Sequence, residues 1–492
     1  MKITIIGGGL AGSEAAYQIA KRDIDVDLYE MKPKKFSPAH SNKNLAEIVC
    51  SNSFKSNLLT NACGLLKEEL RKLDSLLIRV ADETSVPAGQ ALAVDREEFS
   101  RKATEELEKN EHIHIIHKEV TSKLYEDANY EKNNESPKNE KVYIEDLLKE
   151  GIVIIATGPL TSEGLYEGIK HLTGNGDLHF YDAEAPIIEK ESIDFNIAFY
   201  GNRYDEERKR NESIEEWKNR IASQDKSYIN LPMNKEEYIS FCQALSEADV
   251  VTLRDFEKSE IFEGCMPIEI MCKRGIDTLR FGPLKPVGFT DPRTGKRPYA
   301  IVQLRQDNKE STLYNIVGFQ TNLKYGEQKR AFSMIPGLNN ASFAKYGVMH
   351  RNTFINSPKF LNSCYKFKNK DYDLYFAGQI TGVEGYVESI SSGLKASLSA
   401  IKEFYEKNTK ESRDAYKNKE LDKNYDDVCK KLEICENENT MIGALSKYIS
   451  EENSHFQPMN ANYGILKPLD TKIKDKKERY LQLSERSLEL FK

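Results

Sequence analysis

Two sets of residues in this 492-residue chain have the type and spacing to do chemistry: a cluster of glycines near the N-terminus, and two cysteines in small polar turns. Gly7-Gly8-Gly9-Leu10-Ala11-Gly12 contains Gly-x-Gly-x-x-Gly. It follows the β-branched run Lys2-Ile-Thr-Ile-Ile6 and precedes Ser13 to Lys21, where Ala15, Ala16, Ile19 and Ala20 recur at helical spacing. Between a strand and a helix, the first glycine permits a tight turn, the second lets the backbone approach a pyrophosphate, and the third lets the helix pack closely. Phosphates then meet the partial positive charge of the helix N-terminus. Val26 to Glu30 reads as the second strand of a βαβ unit, and Glu30 at its end is placed to accept hydrogen bonds from a ribose diol.

This motif calls for a dinucleotide without separating NAD from FAD. Two later segments favour FAD: Ile154-Ile-Ala-Thr157-Gly158 and Leu374-Tyr-Phe-Ala-Gly378-Gln-Ile-Thr-Gly382. Each reads as a strand that ends in a glycine turn. The first is expected over the adenosine end of the cofactor, the second to offer backbone N–H groups and a helix start to the flavin.

Cys50 sits in Glu47-Ile-Val-Cys-Ser-Asn-Ser53, a small polar turn soon after the βαβ unit, from which a thiol can face the cofactor. Cys265 sits in Phe262-Glu-Gly-Cys-Met-Pro-Ile-Glu269, where Gly264 frees the backbone and Pro267 stops a helix, a setting that exposes a nucleophile on a loop. The thiolate is the reactive form, and Lys273, Arg274 or a helix N-terminus would favour it. The other cysteines (63, 242, 272, 364, 429 and 435) are expected to pack as small hydrophobes. There is no Cys-x-x-Cys pair and no secretory apolar segment, which points to reduced thiols in a cytoplasm. No metal is expected, because the eight histidines form no ligand spacing. No apolar run reaches the roughly 20 residues of a membrane helix.

The elements that must position these groups read as α/β: a Rossmann-like FAD-binding domain interrupted by an inserted α+β domain. Residues 66 to 80 and Asp95 to Leu107 are helix-like; Ile113 to Ile116 and Ile152 to Ala156 are strand-like. The expected boundaries are 1–185 for the first part of the FAD-binding domain, 186–365 for the insertion and 366–492 for the return strand and C-terminal helices. Polar stretches at 126–142 and 203–226 read as solvated surface, with a surface helix in part of the second.

The formal charge is -7, from 71 basic and 78 acidic residues, so a nucleic-acid site must be a local patch. One is present inside the insertion. From Lys273 to Arg305 there are eight basic residues against two acidic ones, among them Arg274, Arg280, Lys285 and Arg297, with Arg351 following later. Phe281, Phe289 and Tyr299 are interleaved, with Phe319 and Tyr325 just beyond. Cations can track phosphates while aromatic rings stack unpaired bases, as in RNA loops. A solvated loop set, or a grip on an anionic small substrate, fits the same composition.

Longer segments carry a resemblance. GGGLAGSEAA (7–16), AEIVCSN (46–52), PAGQALAVDR (87–96), FEGCMPIE (262–269), RGIDTLRFGPLKPV (274–287), YGVMHRNTFINS (346–357) and FAGQITGVEGYVES (376–389) resemble the folate- and FAD-dependent tRNA (uracil-5-)-methyltransferases, the TrmFO family. The departures are the two polar stretches and a segment near 404–438. The resemblance implies that one carbon passes from 5,10-methylenetetrahydrofolate, by way of FAD, to C5 of a T-loop uridine in tRNA, with NAD(P)H as reductant. It implies that Cys265 attacks uracil C6, that Cys50 lies near the flavin as a proton-transfer group or a guard, that Tyr386 lies near the isoalloxazine, and that the basic insert holds tRNA. The same chemistry on a ribosomal RNA uridine, or a flavin-bound RNA-binding protein without catalysis, fits the sequence as an alternative.

Overall fold

The computed structural model describes residues 2–128, 141–174, 177–203, 227–251, 266–347, 349–412, 419–454 and 456–492. Most of the polar stretch at 126–142, nearly all of 203–226, and Cys265 fall outside those residues.

The N-terminal β-branched run forms strand β1 (Lys2–Ile6), with Ile3, Ile5 and Ile6 all buried. Helix α1 (Leu10–Ala20) starts inside the glycine motif, three residues before the position suggested by its apolar spacing. The reason is local. Gly9 is extended and acts as N-cap, and the Ser13 N–H donates to the Gly9 carbonyl at 2.9 Å, which closes the first turn. Helix geometry then leaves the Leu10, Ala11 and Gly12 amides without intrahelical partners.

Strands β2 (Val26–Tyr29), β3 (Ile113–Ile116) and β4 (Gly151–Ile155) join β1 in parallel, with Ile5 opposite Leu28 on one side and Ile154 on the other. Such strands are covered on both faces, and their near-continuous apolar sequences reflect this. The helical pattern at 66–80 is broken in two: α2 (Ala62–Lys72) and α3 (Leu76–Glu83). Asp74 takes a positive φ of 59°, and Ser75 is extended, caps the Ile78 N–H and donates to Glu14 Oε2 on α1 at 2.9 Å. Helix α4 (Arg96–Glu108) follows, capped by Asp95.

After β4 the chain leaves the parallel sheet and builds a second one. Strands β5 (Ile187–Glu189), β6 (Phe199–Tyr200), β7 (Tyr228–Met233), β8 (Ala300–Gln306), β9 (Leu313–Ile316) and β10 (Phe343–Lys345) form an antiparallel sheet in the order β6-β7-β8-β9-β5-β10. It has its own core, in which Phe319 packs edge-on to Phe332 and near Phe241. The chain then returns as β11 (Leu374–Phe376), which pairs parallel to β4 and completes the order β11-β4-β1-β2-β3. Helix α5 (Tyr386–Ser412) lies against α1 so closely that a Cβ on Gly393 would stand 2.2 Å from the Ala11 carbonyl oxygen. The fold is therefore a Rossmann-like α/β domain interrupted by an α+β insert.

Candidate cofactor site and its thiol

The loops after β1, β4 and β11 open together into a cavity at the carboxyl end of the parallel sheet, where ligands bind in open α/β sheets. Gly7, Gly9, Leu10 and Ala11 form one wall, Thr157 and Gly158 the second, and Gly378, Tyr386 and Cys50 the third.

The glycines divide into two kinds. Gly7 has φ +105°, and a Cβ there would lie 2.6 Å from the Ala156 carbonyl oxygen; a Cβ on Gly12 would lie 1.9 Å from the Gly7 carbonyl oxygen. These two allow the turn and the helix packing. At Gly9 and Gly158, by contrast, a built Cβ meets no atom within 4 Å beyond its own stretch of chain, although Gly158 also has φ +65°. They leave bare backbone on the cavity wall beside a helix N-terminus, a surface that fits a pyrophosphate.

Glu30 lines the same cavity, and its carboxylate accepts the Gly8 N–H at Oε2 (2.8 Å) and the Lys32 N–H at Oε1 (2.9 Å). Gly8 itself is buried and does not line the cavity. Gly382 is elsewhere: a Cβ on it would stand 2.6 Å from the Phe456 ring, and it does not line the cavity. Nor is the Gly378 N–H offered to the cavity as the sequence pattern suggested, since it donates to Ser392 Oγ at 2.7 Å.

The structure adds residues that the sequence reading missed. Lys32, Ser37, His40 and Glu47 line the same cavity as Glu30. The Lys32 ammonium pairs with Glu47 at 3.1 Å, while Glu47 Oε1 accepts the Ser41 and Asn42 amides at 2.9 Å. Burial, and then the charge of Lys32, hold the His40 imidazole below its ordinary pKa. The only sequence signal was a cluster of polar and charged residues directly after Glu30, the acid that follows β2.

Cys50 is half-buried on the cavity wall, in a turn that belongs to no helix or strand. The Tyr386 hydroxyl accepts the Ser51 N–H at 3.0 Å, and its ring lies 5.6 Å from that of Phe54. Burial, and next the proximity of Cys50, keep that phenol well above its ordinary pKa, so Tyr386 holds its proton at neutral pH. Arg96 and Arg305 also reach the turn. Of the cysteines assigned to packing, 63, 242, 272 and 435 are buried, whereas Cys364 and Cys429 are only partly so.

On the insert, Arg274, Lys285 and Arg297 are exposed. Arg280 is committed to its own fold: it donates to Asp277 and to the Tyr299 carbonyl, and its guanidinium sits 3.6 Å from the centre of the Tyr299 ring. Arg305, counted in the basic stretch, points inward and is 8% exposed. Phe289 and Phe319 are core residues, so of the interleaved aromatics only Phe281 (81% exposed) and Tyr325 (58%) stand in solvent. Arg351 lies in the strand Met349–Ile355, paired with Tyr181, and its side chain is outside the described residues, as is Cys265. Among the described residues no group of three His, Cys, Asp or Glu side chains is arranged to hold a metal, and no helix is long and apolar enough to cross a membrane.

The family model described as Glucose inhibited division protein A matches residues 2–408. A protein of Acetivibrio thermocellus named methylenetetrahydrofolate--tRNA-(uracil-5-)-methyltransferase TrmFO is 50% identical over 491 residues, covering 100% of this chain and 98% of its own. This chain belongs to the TrmFO family. A Lactobacillus gasseri protein of the same name is 49% identical over 487 residues, covering 99% of this chain and 96% of its own. Among solved structures, GidA of Aquifex aeolicus is similar with a TM-score of 0.59 at 14% identity, covering 100% of this chain and 73% of that one, a likeness of fold. The match to TrmFO proteins spans the cavity loops, the Cys50 turn and the insert alike.

Proposed function

We propose that this protein is a tRNA (uracil-5-)-methyltransferase that transfers one carbon from 5,10-methylenetetrahydrofolate to C5 of a T-loop uridine in tRNA, with FAD as cofactor and NAD(P)H as reductant, in the cytoplasm. The observation that carries this reading is the near-full-length match at 49–50% identity to proteins of that name. The cavity geometry supports the flavin part of it.

Bound FAD supplies hydride chemistry and the one-carbon relay between folate and base. The protein's contribution is binding, orientation and proton control. The bare backbone at Gly9 and the first-turn amides of α1 would hold the pyrophosphate, Glu30 the ribose, and Thr157 and Gly158 the adenosine side. Tyr386, protonated at neutral pH, would stand at the isoalloxazine as a wall and hydrogen-bond donor. Cys50, beside it, either moves a proton or guards the reactive position from solvent.

Uracil C5 is a poor nucleophile until a nucleophile adds at C6 and generates an enolate, and a thiolate is suited to that addition. Cys265 takes this role in the proposal. Residues 186–365 would form the RNA-holding insert, with Arg274, Lys285 and Arg297 on phosphates, and residues 1–185 and 366–492 the flavin part.

The test is isotopic. Purified protein with FAD, NAD(P)H and labelled methylenetetrahydrofolate should place label in 5-methyluridine of unmodified tRNA and none in ribosomal RNA fragments. Label arriving only from S-adenosylmethionine, or only in the ribosomal RNA, would sink the reading.

A further inference from the structure

We propose that Arg305 and Arg96 are positioning residues, which latch the turn carrying Cys50 to the sheet of the insert and so fix where that thiol stands at the cavity. The proposal rests on the reading of the cavity as a flavin site.

Every residue around Cys50 is tied to a neighbour in three dimensions. The Val49 carbonyl accepts Arg96 Nη1 at 2.7 Å. The Ser51 hydroxyl accepts Arg305 Nη2 at 2.6 Å, and Asn52 Oδ1 accepts Arg305 Nε at 2.9 Å. The Asn52 amide donates to the Gln306 carbonyl at 2.8 Å and to the Val94 carbonyl at 3.0 Å. Arg96 in turn donates from Nε to Asp307 at 3.0 Å. Arg305, Gln306 and Asp307 are consecutive at the end of β8 of the insert. Backbone pairing holds only the end of the turn, where the Val94 N–H donates to the Asn52 carbonyl at 3.0 Å, and the side-chain bonds tie the rest to the end of β8.

The choice of arginine is itself informative. Arg305 is 8% exposed, stays charged, and forms no salt bridge among the described residues; its hydrogen bonds go to Ser51 and Asn52. An apolar side chain would normally serve stability as well or better at such a site, because desolvating a guanidinium is costly. What arginine provides is a rigid fork that holds two adjacent side chains at once. Asn52, fully buried, uses both ends of its amide in the same latch.

The experiment uses the full-length flavin-loaded protein without folate or RNA. Cys50 is alkylated with iodoacetamide and its peptide quantified by mass spectrometry, alongside the visible flavin spectrum, FAD content and Tm. Arg305→Gln, whose amide replaces part of what the guanidinium held, should raise the Cys50 labelling rate about tenfold, a change of about 1.4 kcal/mol. It should also shift the flavin absorption band while FAD content stays near stoichiometric. Arg305→Lys, which keeps the charge without the fork, should restore only part of the protection. In turnover, kcat should fall while KM for the folate stays within about twofold, a split expected when a group is displaced after binding. Labelling and spectrum like wild type in a folded Arg305→Gln protein would overturn the proposal. If that variant does not fold, Ser51→Ala removes one arm of the latch and decides the matter: faster labelling supports it, and an unchanged rate overturns it. The labelling difference between variant and wild type, found with a wild-type protein that transfers no methyl group, would refute the methyltransferase reading and leave the latch standing.

Discussion

The Glu30 carboxylate is bonded to the glycine loop it faces: the Gly8 N–H donates to its Oε2 at 2.8 Å, while Oε1 accepts the Lys32 N–H at 2.9 Å. One acid therefore joins the glycine loop to the segment after β2, on the wall of the cavity. Glu30→Gln would turn an NH2 toward one of two N–H donors. Flavin content should drop, and stability should fall by about 2 kcal/mol, the cost of losing a hydrogen bond to a charged acceptor. Absorbance of the purified protein and urea denaturation measure both. Wild-type FAD content with an unchanged denaturation midpoint would show that the loop does not depend on this acid.

Gly9 and Gly12 have opposite reasons to be glycine, and substitution should separate them. Gly9 has φ -74° and no atom within 4 Å of a built Cβ, so Gly9→Ala should fold with the apoprotein Tm of wild type. Its methyl projects into the cavity, and flavin affinity should weaken about tenfold, or 1.4 kcal/mol. Gly12→Ala places a Cβ 1.9 Å from the Gly7 carbonyl oxygen and should destabilise the apoprotein itself by about 3 kcal/mol. Equal effects of both substitutions on apoprotein stability would contradict this division.

The βαβ unit was legible because its information is local: a β-branched run, three glycines and a 3.6-residue pattern sit within thirty residues. The break between α2 and α3 was not, because Ser75 starts a new helix through a bond to Glu14 on a different element. Arg305 misled for the same reason. Strand β8 is buried on both faces, so nothing in its alternation marks a charged residue as turned inward to Asn52. Phe289 and Phe319 looked like bases' stacking partners beside lysines and arginines, yet both are buried, Phe319 in the insert's core and Phe289 against the Arg203 guanidinium. Composition identified a basic, aromatic segment; only tertiary packing decides which of its side chains remain outside.

The side chains that do remain outside give an RNA prediction. Lys285 and Arg297 are exposed, so replacing either with alanine should leave Tm unchanged and weaken tRNA binding. Each should reduce the slope of log K against log salt by about 1, the signature of one lost phosphate contact. Phe281→Ala removes a ring that is 81% exposed, and should cost tRNA affinity about 1–3 kcal/mol without changing that slope if the ring stacks on a base. Filter binding across a salt series reads all three. Unchanged affinity in the three variants would move the RNA face elsewhere on the insert.

Glu403 gives a prediction with a defined sign in pH. It ties helix α5 to the return strand: its carboxylate accepts the Tyr375 hydroxyl at 2.6 Å, the Lys366 ammonium at 2.6 Å and the Lys407 ammonium at 2.9 Å. Burial alone would raise its pKa, but the hydrogen bonds from Lys366, Tyr375 and Lys407 outweigh that and hold it at about 2, against an ordinary 4.5. The unfolded chain therefore binds a proton at Glu403 between these values while the folded one does not. The stabilisation is complete above about pH 4.5 and is lost as pH falls toward 2. Glu403→Gln should cost about 2 kcal/mol at pH 7, within the range for hydrogen bonds between charged groups. In urea denaturation, the gap between variant and wild type should stay constant from pH 8 to about pH 5 and begin to narrow at pH 4, where Glu403 takes up a proton in the unfolded chain but not in the folded one. A gap that widens on acidification would mean that the carboxylate is held protonated by its surroundings, and that β11 is tied to α5 by some other contact.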